Sequence, residues 1–158
     1  MIFLTLGTHP QQFNRLLMAV DSLLKSGKIR EKVVAQIGAS DYKPRNFNSF
    51  DFIGDKKRER LMKKASLIIS HAGAGTIIDA LNLKKKIIVV PRLKKFGEHT
   101  NDHQIEIAGA LEAEGKVLAV YDIANLAERI CEAKKFKRKL VYHSRLAKKL
   151  FDYLSDSK

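Results

Sequence analysis

Apolar residues in this chain fall into short β-rich runs that alternate with stretches of helical period. Ile2 to Leu6 is one such run and stops at Gly7-Thr8; beyond it Phe13, Leu16, Leu17, Val20, Leu23 and Leu24 recur at the spacing of an amphipathic helix. Val33 to Ile37 is a second strand-like run, ending at Gly38, and Phe50 to Ile53 a third, ending at Gly54. Leu61, Met62 and Ala65 accompany the charged stretch Asp55 to Lys64, which reads as a short surface helix. Leu67 to Ile69 is a strand, followed by a turn of small residues from His71 to Thr76 and a helix running through Leu83. Ile87 to Val90 is the next strand, and Pro91, which has no N–H to give to a ladder, marks its exit. A polar loop from Arg92 to Thr100 leads into a helix with apolar positions Ile105, Ile107, Ala108 and Leu111, for which Gly115 is a C-cap. Val117 to Val120 closes as a strand, Asp122 caps a helix from Ile123 to Ala133, and a last helix is expected over Ser144 to Leu154.

Strands alternating with helices in this way predict βαβ units joined by right-handed crossovers. The expected fold is α/β, a Rossmann-like, doubly wound and mostly parallel sheet, in one domain over residues 1–158 that ends in a basic helix over 134–158. Such sheets bind ligands beyond the carboxyl ends of their strands. The unusual residues sort to that edge: Gly7, Thr8 and His9 follow the first strand, Gly38 the second, Gly54 the third, His71 to Thr76 the fourth, and Arg92 to Asn101 the fifth.

A length of 158 residues with 45% hydrophobic and 30% charged residues is that of one globular domain and excludes collagen-like or disordered scaffolds. The single Cys131 cannot form an internal disulfide; it lies mid-helix among Leu126, Ala127 and Ile130 and reads as packing rather than as a nucleophile. Met1 to Pro10 lacks the pattern of a secretory leader, no run approaches the roughly 20 apolar residues of a membrane span, and a reducing cytoplasm is the expected compartment. Eight of the 30 basic residues lie between Lys134 and Phe151 with no acid among them, and without those eight the net charge falls from +13 to +5. Such a tail can attract nucleic acid, an anionic membrane face or an acidic partner, and charge alone does not choose among them.

The turn His71-Ala72-Gly73-Ala74-Gly75-Thr76 leads straight from a strand into a helix, where small residues let an anion approach the first helical N–H groups. The same glycines would equally serve a tight turn with no ligand. The third glycine of the dinucleotide pattern and the G-K-[ST] of a P-loop are both missing, so NAD and Walker-type chemistry drop out. Asp79, three residues beyond Thr76, can reach a ribose diol, or can be an acid favoured by the helix dipole. Asn101, Asp102, His103 and Gln104 offer hydrogen bonds in several directions, as a sugar requires, whereas helix capping needs only one of them. His99 and His103 have the i, i+4 spacing of a zinc pair on one helix face, but the H-E-x-x-H glutamate and a third ligand are lacking. No Ser-His-Asp set or nucleophile elbow is present, which removes covalent hydrolases. His9 can face the same cleft as His71, or be a loop histidine held by backbone hydrogen bonds.

Leu6-Gly7-Thr8, Gln36-Ile37-Gly38, Ser70-His71-Ala72-Gly73-Ala74-Gly75-Thr76 and Asn101-Asp102-His103-Gln104, in that order, give the chain a family likeness. It resembles the single-domain proteins that match the C-terminal, donor-binding half of GT-B glycosyltransferases, glycosyltransferase family 28. These include bacterial PssE-like subunits of exopolysaccharide and capsule synthesis and the catalytic subunit of the eukaryotic dolichol-linked N-acetylglucosaminyltransferase. The likeness spans nearly the whole chain. It implies a UDP-sugar donor, with Gly7 and Thr8 near the diphosphate, Ile53 beside the uracil, and His71, Gly73, Ala74, Gly75 and Thr76 forming the phosphate turn. Asp79 stands where a ribose-binding glutamate is found, one methylene shorter, and Asn101, His103 and Gln104 belong to the polar cluster that meets the donor sugar.

The same resemblance implies a two-component, inverting, metal-independent transferase with no cofactor. This chain would be the donor subunit, and a membrane-associated partner would bind a polyprenyl-diphosphate-linked acceptor and supply the catalytic base, with His9 or Glu98 as weaker candidates for that base. The location expected from it is cytoplasmic, peripheral at the inner face of the membrane through the partner, with the basic tail docking on that partner or on anionic lipid. Two rival readings are a non-catalytic accessory subunit that enhances a partner transferase, and a nucleic-acid-binding module, against which stands the lack of any RNA-binding motif.

Overall fold

The computed structural model describes residues 1–137. The helix expected over 144–154, and with it most of the basic tail, lies outside those residues. Within them the order is β1 (Ile2–Thr5), α1 (Asn14–Lys25), β2 (Val33–Gln36), β3 (Asn48–Phe50), α2 (Asp55–Lys64), β4 (Leu67–Ser70), α3 (Ala74–Asn82), β5 (Ile87–Val89), α4 (His103–Ala113), β6 (Leu118–Ala119) and α5 (Leu126–Lys135). The six strands form one sheet in the order β3-β2-β1-β4-β5-β6, and every pairing is parallel. This is the doubly wound topology, with its reversal of strand order between β1 and β4.

Sheets of this kind are covered on both faces, which is why β1, β2, β4 and β5 are buried throughout instead of alternating inside and out. Ile2, Leu4 and Leu6 pack on one side with Phe13, Leu16, Leu17 and Val20 of the α1 region and Leu126, Ile130 and Ala133 of α5. Phe3, Ile68 and Val89 face the opposite side, against Met62 of α2, Ile77 and Ala80 of α3, and Ile107 and Leu111 of α4. The register then sets the site: Thr5 lies opposite both Gln36 and Ser70, so three polar residues form a row at the carboxyl end of an otherwise apolar sheet centre.

Three expectations are corrected. The third strand is Asn48–Phe50 and not Phe50 to Ile53: an edge strand needs only one neighbour, and pairing Gln36 with Phe50 leaves Phe52 and Ile53 in the connection to α2. The segment after Asp122 begins with a 3-10 turn, Ile123–Asn125, in which Asp122 Oδ1 accepts the Ala124 N–H, and α5 starts only at Leu126. Cys131 is exposed, because the buried face of α5 runs Leu126, Ile130, Ala133 and places residue 131 outside it.

Candidate functional site

The loops at the carboxyl edge meet around one ring. The His71 imidazole lies between the turn after β1 and the turn after β4: a Cβ at Gly7 would stand 2.6 Å from its Cε1, and one at Gly73 would stand 2.1 Å from its Nε2. Neither position tolerates a side chain, and Gly7 also has φ +69°. The Ser70 hydroxyl donates to Thr5 O at 2.9 Å, so at its 3.3 Å contact with His71 Nδ1 it is the acceptor and the ring nitrogen carries the proton. Burial, reinforced by the Arg92 guanidinium, lowers the His71 pKa to about 3. The residue is therefore a neutral wedge that fixes the spacing of two glycine turns. Gln36 Nε2 donates to Gly7 O at 3.2 Å, and Gly38 packs against that same carbonyl, 3.0 Å from where a Cβ would be.

From this pinned turn α3 departs with Gly73 as N-cap and no side-chain cap. Ile77 N–H is the first to find an acceptor, Gly73 O, so the N–H groups of Ala74, Gly75 and Thr76 have none among the described residues. Gly75 is exposed, with open space where its Cβ would be. Asp79, one turn further on, is ion-paired to Arg58 of α2 at 2.8 Å, and the same guanidinium reaches Thr76 Oγ1 at 3.4 Å. Ile53 is half-buried at the foot of α2 and packs on the adjacent apolar cluster, while Thr8 is exposed on the first turn.

The loop after β5 is built differently, around buried charge. Arg92 is 1% exposed; it donates to the carbonyls of Leu6, Gln11, Gln12 and Glu98 at 2.9–3.1 Å and stacks on Phe13 with its guanidinium carbon 4.9 Å from the ring centre. Burial draws its pKa down to about 10, against the pull of Glu98, which leaves it charged at neutral pH. Glu98 is equally buried. Its carboxylate takes two 2.9 Å bonds from Arg15 and one of 3.0 Å from the Leu93 N–H. A carboxylate so occupied is a brace and not a general base, which corrects the expectation for Glu98. The polar run that follows is also partly consumed within the loop: Gln104 Oε1 accepts the Arg92 N–H, Asp102 Oδ1 the Lys94 N–H, and Asn101 Oδ1 the His103 N–H. His103 and Asp102 remain exposed, whereas Gln104 is buried with its amide N–H₂ uncommitted among the described residues.

His9 and His99 stack on one another, ring centres 4.5 Å apart. Each Nδ1 accepts a backbone N–H, from Gln11 and Asn101 respectively, at 3.3 Å. The neutral rings therefore carry their proton on Nε2 and present a donor, so this arrangement does not give His9 the lone pair of a base. Both pKa values are lowered, by burial first; for His9 the next causes are His99 and Arg92, and for His99 they are Arg92 and His103. His99 precedes α4 and His103 begins it, so the i, i+4 pair does not share a helix face.

Four buried polar side-chain atoms have no partner among the described residues: Thr5 Oγ1, Gln11 Oε1, Gln36 Oε1 and Arg92 Nε. Thr5 and Gln36 end β1 and β2, Arg92 lies three residues beyond β5, and Gln11 lies in the connection from β1 to α1. Unpaired groups are rare in folded interiors, and solvent or ligand ordinarily completes their bonding. The sequence led to Gly7, His71, Gly73 and Asp79. It missed the bracing roles of Arg15 and Arg92, the His9–His99 stack, and Arg58, for which the only signal was a basic residue on the helix facing the glycine-rich turn.

Residues 1–155 match the model of the glycosyltransferase family 28 C-terminal domain, and the chain belongs to that family. The fold is the Rossmann-like C-terminal domain of GT-B glycosyltransferases. Over 123 residues the chain is 34% identical to a human protein described as UDP-N-acetylglucosamine transferase subunit ALG13; the match covers 72% of this chain and 10% of the human one, so the chain spans only a small part of that relative. It is similar in structure to an NMR solution structure of ALG13, with TM-score 0.59 and 22% identity over 94% of this chain and 93% of that one. It is similar also to Acinetobacter baumannii MurG, with TM-score 0.59 and 20% identity over 84% of this chain and 40% of that one.

Proposed function

We propose that this chain is the UDP-sugar-binding subunit of a two-component, inverting glycosyltransferase that passes a hexose or N-acetylhexosamine to a polyprenyl-diphosphate-linked acceptor in polysaccharide or lipid-linked oligosaccharide synthesis. The observation that carries the reading is the uncapped α3 N-terminus, with three unpaired N–H groups and open space at Gly75, in a glycosyltransferase family domain whose sheet end also holds the unpaired Thr5 Oγ1 and Gln36 Oε1. Backbone N–H groups and the helix dipole suit a diphosphate whose charge grows as UDP leaves, with no metal and no covalent intermediate required. Asp79 holds the ribose, Ile53 lies beside the uracil, Gly7 and Thr8 flank the phosphates, and His103 with the Gln104 amide meets the sugar. With Glu98 braced and His9 presenting a donor, the base that deprotonates the acceptor hydroxyl belongs to the partner, a membrane-associated subunit that holds this chain at the cytoplasmic membrane face.

The test is calorimetric titration of UDP and UDP-N-acetylglucosamine into the wild type and into Gly75→Trp, a change the open space allows without disturbing the core. Binding by the wild type and its loss in the variant support the site, and equal heats from the two proteins count against it. The accessory-subunit reading draws on the internal bonding of Asn101, Asp102 and Gln104. Unchanged turnover of the purified pair after His103→Ala with Gln104→Ala would favour it.

A further inference from the structure

Arg58 belongs to no motif in this sequence, and its surroundings are unusual for a surface cation. It lies on the first half of α2, four residues after the Gly54 cap, and crosses to α3, where Nη1 donates to Asp79 Oδ2 at 2.8 Å and Nη2 to Thr76 Oγ1 at 3.4 Å. One guanidinium thus spans the first two turns of the helix whose N-terminus lies open. Its side chain is 23% exposed against 46% for that of Asp79, so the cation is the more enclosed partner and the carboxylate faces outward. Asp79 Oδ2 is occupied by this bond, and Oδ1 has no partner among the described residues.

A partly exposed ion pair between two helices adds little to stability, so stapling α2 to α3 is a poor account of the arrangement. Holding a carboxylate in one orientation is a better one. An aspartate side chain free to rotate must lose that freedom when it binds a hydroxyl, whereas one already held through Oδ2 presents Oδ1 at no further loss.

We propose that Arg58 is the positioning residue that fixes Asp79 so that its open oxygen accepts a hydrogen bond from the ribose 2′-hydroxyl, making this chain selective for ribonucleoside over deoxyribonucleoside diphosphates. The inference rests on the nucleotide-site reading above and adds to it a residue and a selectivity.

The experiment compares UDP with 2′-deoxyuridine diphosphate on the full chain, as wild type, Arg58→Met and Arg58→Lys. The wild type binds UDP more tightly than the deoxy compound by about tenfold, the worth of one hydrogen bond to a charged group. In Arg58→Met that preference collapses to less than about twofold while affinity for the deoxy compound is nearly unchanged. Arg58→Lys restores part of the preference, since it keeps the charge and loses the fork. Equal weakening of both ligands in Arg58→Met would show that Arg58 answers the diphosphate charge or the packing of α2, and would overturn the assignment. An unaltered ratio overturns it too. If the wild type binds neither compound, the nucleotide site itself is wrong and the role of Arg58 falls with it.

Discussion

The two halves of the carboxyl edge reach similar rigidity by opposite means. Around β1 and β4 the chain omits side chains: Gly7 and Gly73 let backbone turns close on the neutral ring of His71, Gly38 closes on the Gly7 carbonyl, and helical N–H groups are left open. Around β5 the chain buries charge: Arg92 is enclosed by four backbone carbonyls, and Glu98 is tied to Arg15. An open backbone surface suits an anion that carries its own charge, and a braced loop suits side chains that must hold still. The difference predicts that the β5 half fails when a charge is removed, and the β1–β4 half when an atom is added.

The largest effect is expected from Arg92→Met. Methionine fills much of the same space and can rest on Phe13, but the carbonyls of Leu6, Gln11, Gln12 and Glu98 lose their donor inside the protein. Leaving buried partners unpaired in this way costs about 4 kcal/mol, read as a shift in the urea midpoint. A loss under about 1 kcal/mol would mean that the loop carbonyls find water instead and that the charge is no brace.

Gly73→Ala should cost somewhat less, about 3 kcal/mol, since one methyl at 2.1 Å from His71 Nε2 forces the ring or the turn to shift. Its backbone φ of −76° is ordinary for any residue, so the penalty is steric alone. The comparison sharpens in the double variant with His71→Ala: if the clash is the cause, adding the methyl where the ring is gone costs almost nothing, and a double-mutant cycle measures the difference. A full penalty in both backgrounds would place the cause in the backbone.

These two positions also show how far the amino-acid pattern could be read. Alternating strands and helices predicted the doubly wound sheet and the edge where its loops gather, because parallel strands buried on both faces leave continuous apolar runs. The small residues at 73 and 75 were legible as a turn, yet only packing separates them: one is filled by His71, the other is open. Arg92, Lys94 and Lys95 look alike in sequence, and only long-range burial distinguishes the enclosed guanidinium from two exposed lysines. The third strand was misread because apolarity drew attention to Phe50, Phe52 and Ile53, whereas an edge strand follows its neighbour's register. The Arg58–Asp79 pair joins residues 21 apart on different helices, a relation that no local period encodes.

The smallest of the expected effects is set by pH and centres on the glycine half. His71 has its pKa lowered to about 3 in the folded protein, by burial first and then by Arg92, whereas an unfolded histidine titrates near 6.5. Between those values the unfolded chain binds a proton that the native one refuses, so stability falls as pH drops through 6.5 and continues to fall toward 3. At pH 5 the loss from this one group is about 2 kcal/mol relative to pH 8, and the lowered pKa values of His9 and His99 act in the same direction. Urea unfolding across that range, repeated with His71→Asn, should show a shallower acid limb in the variant, and the Cε1 proton of His71 should keep its neutral chemical shift at pH 5. A His71 resonance that titrates near 6.5 would mean that solvent reaches the ring and that no neutral wedge separates the two glycine turns.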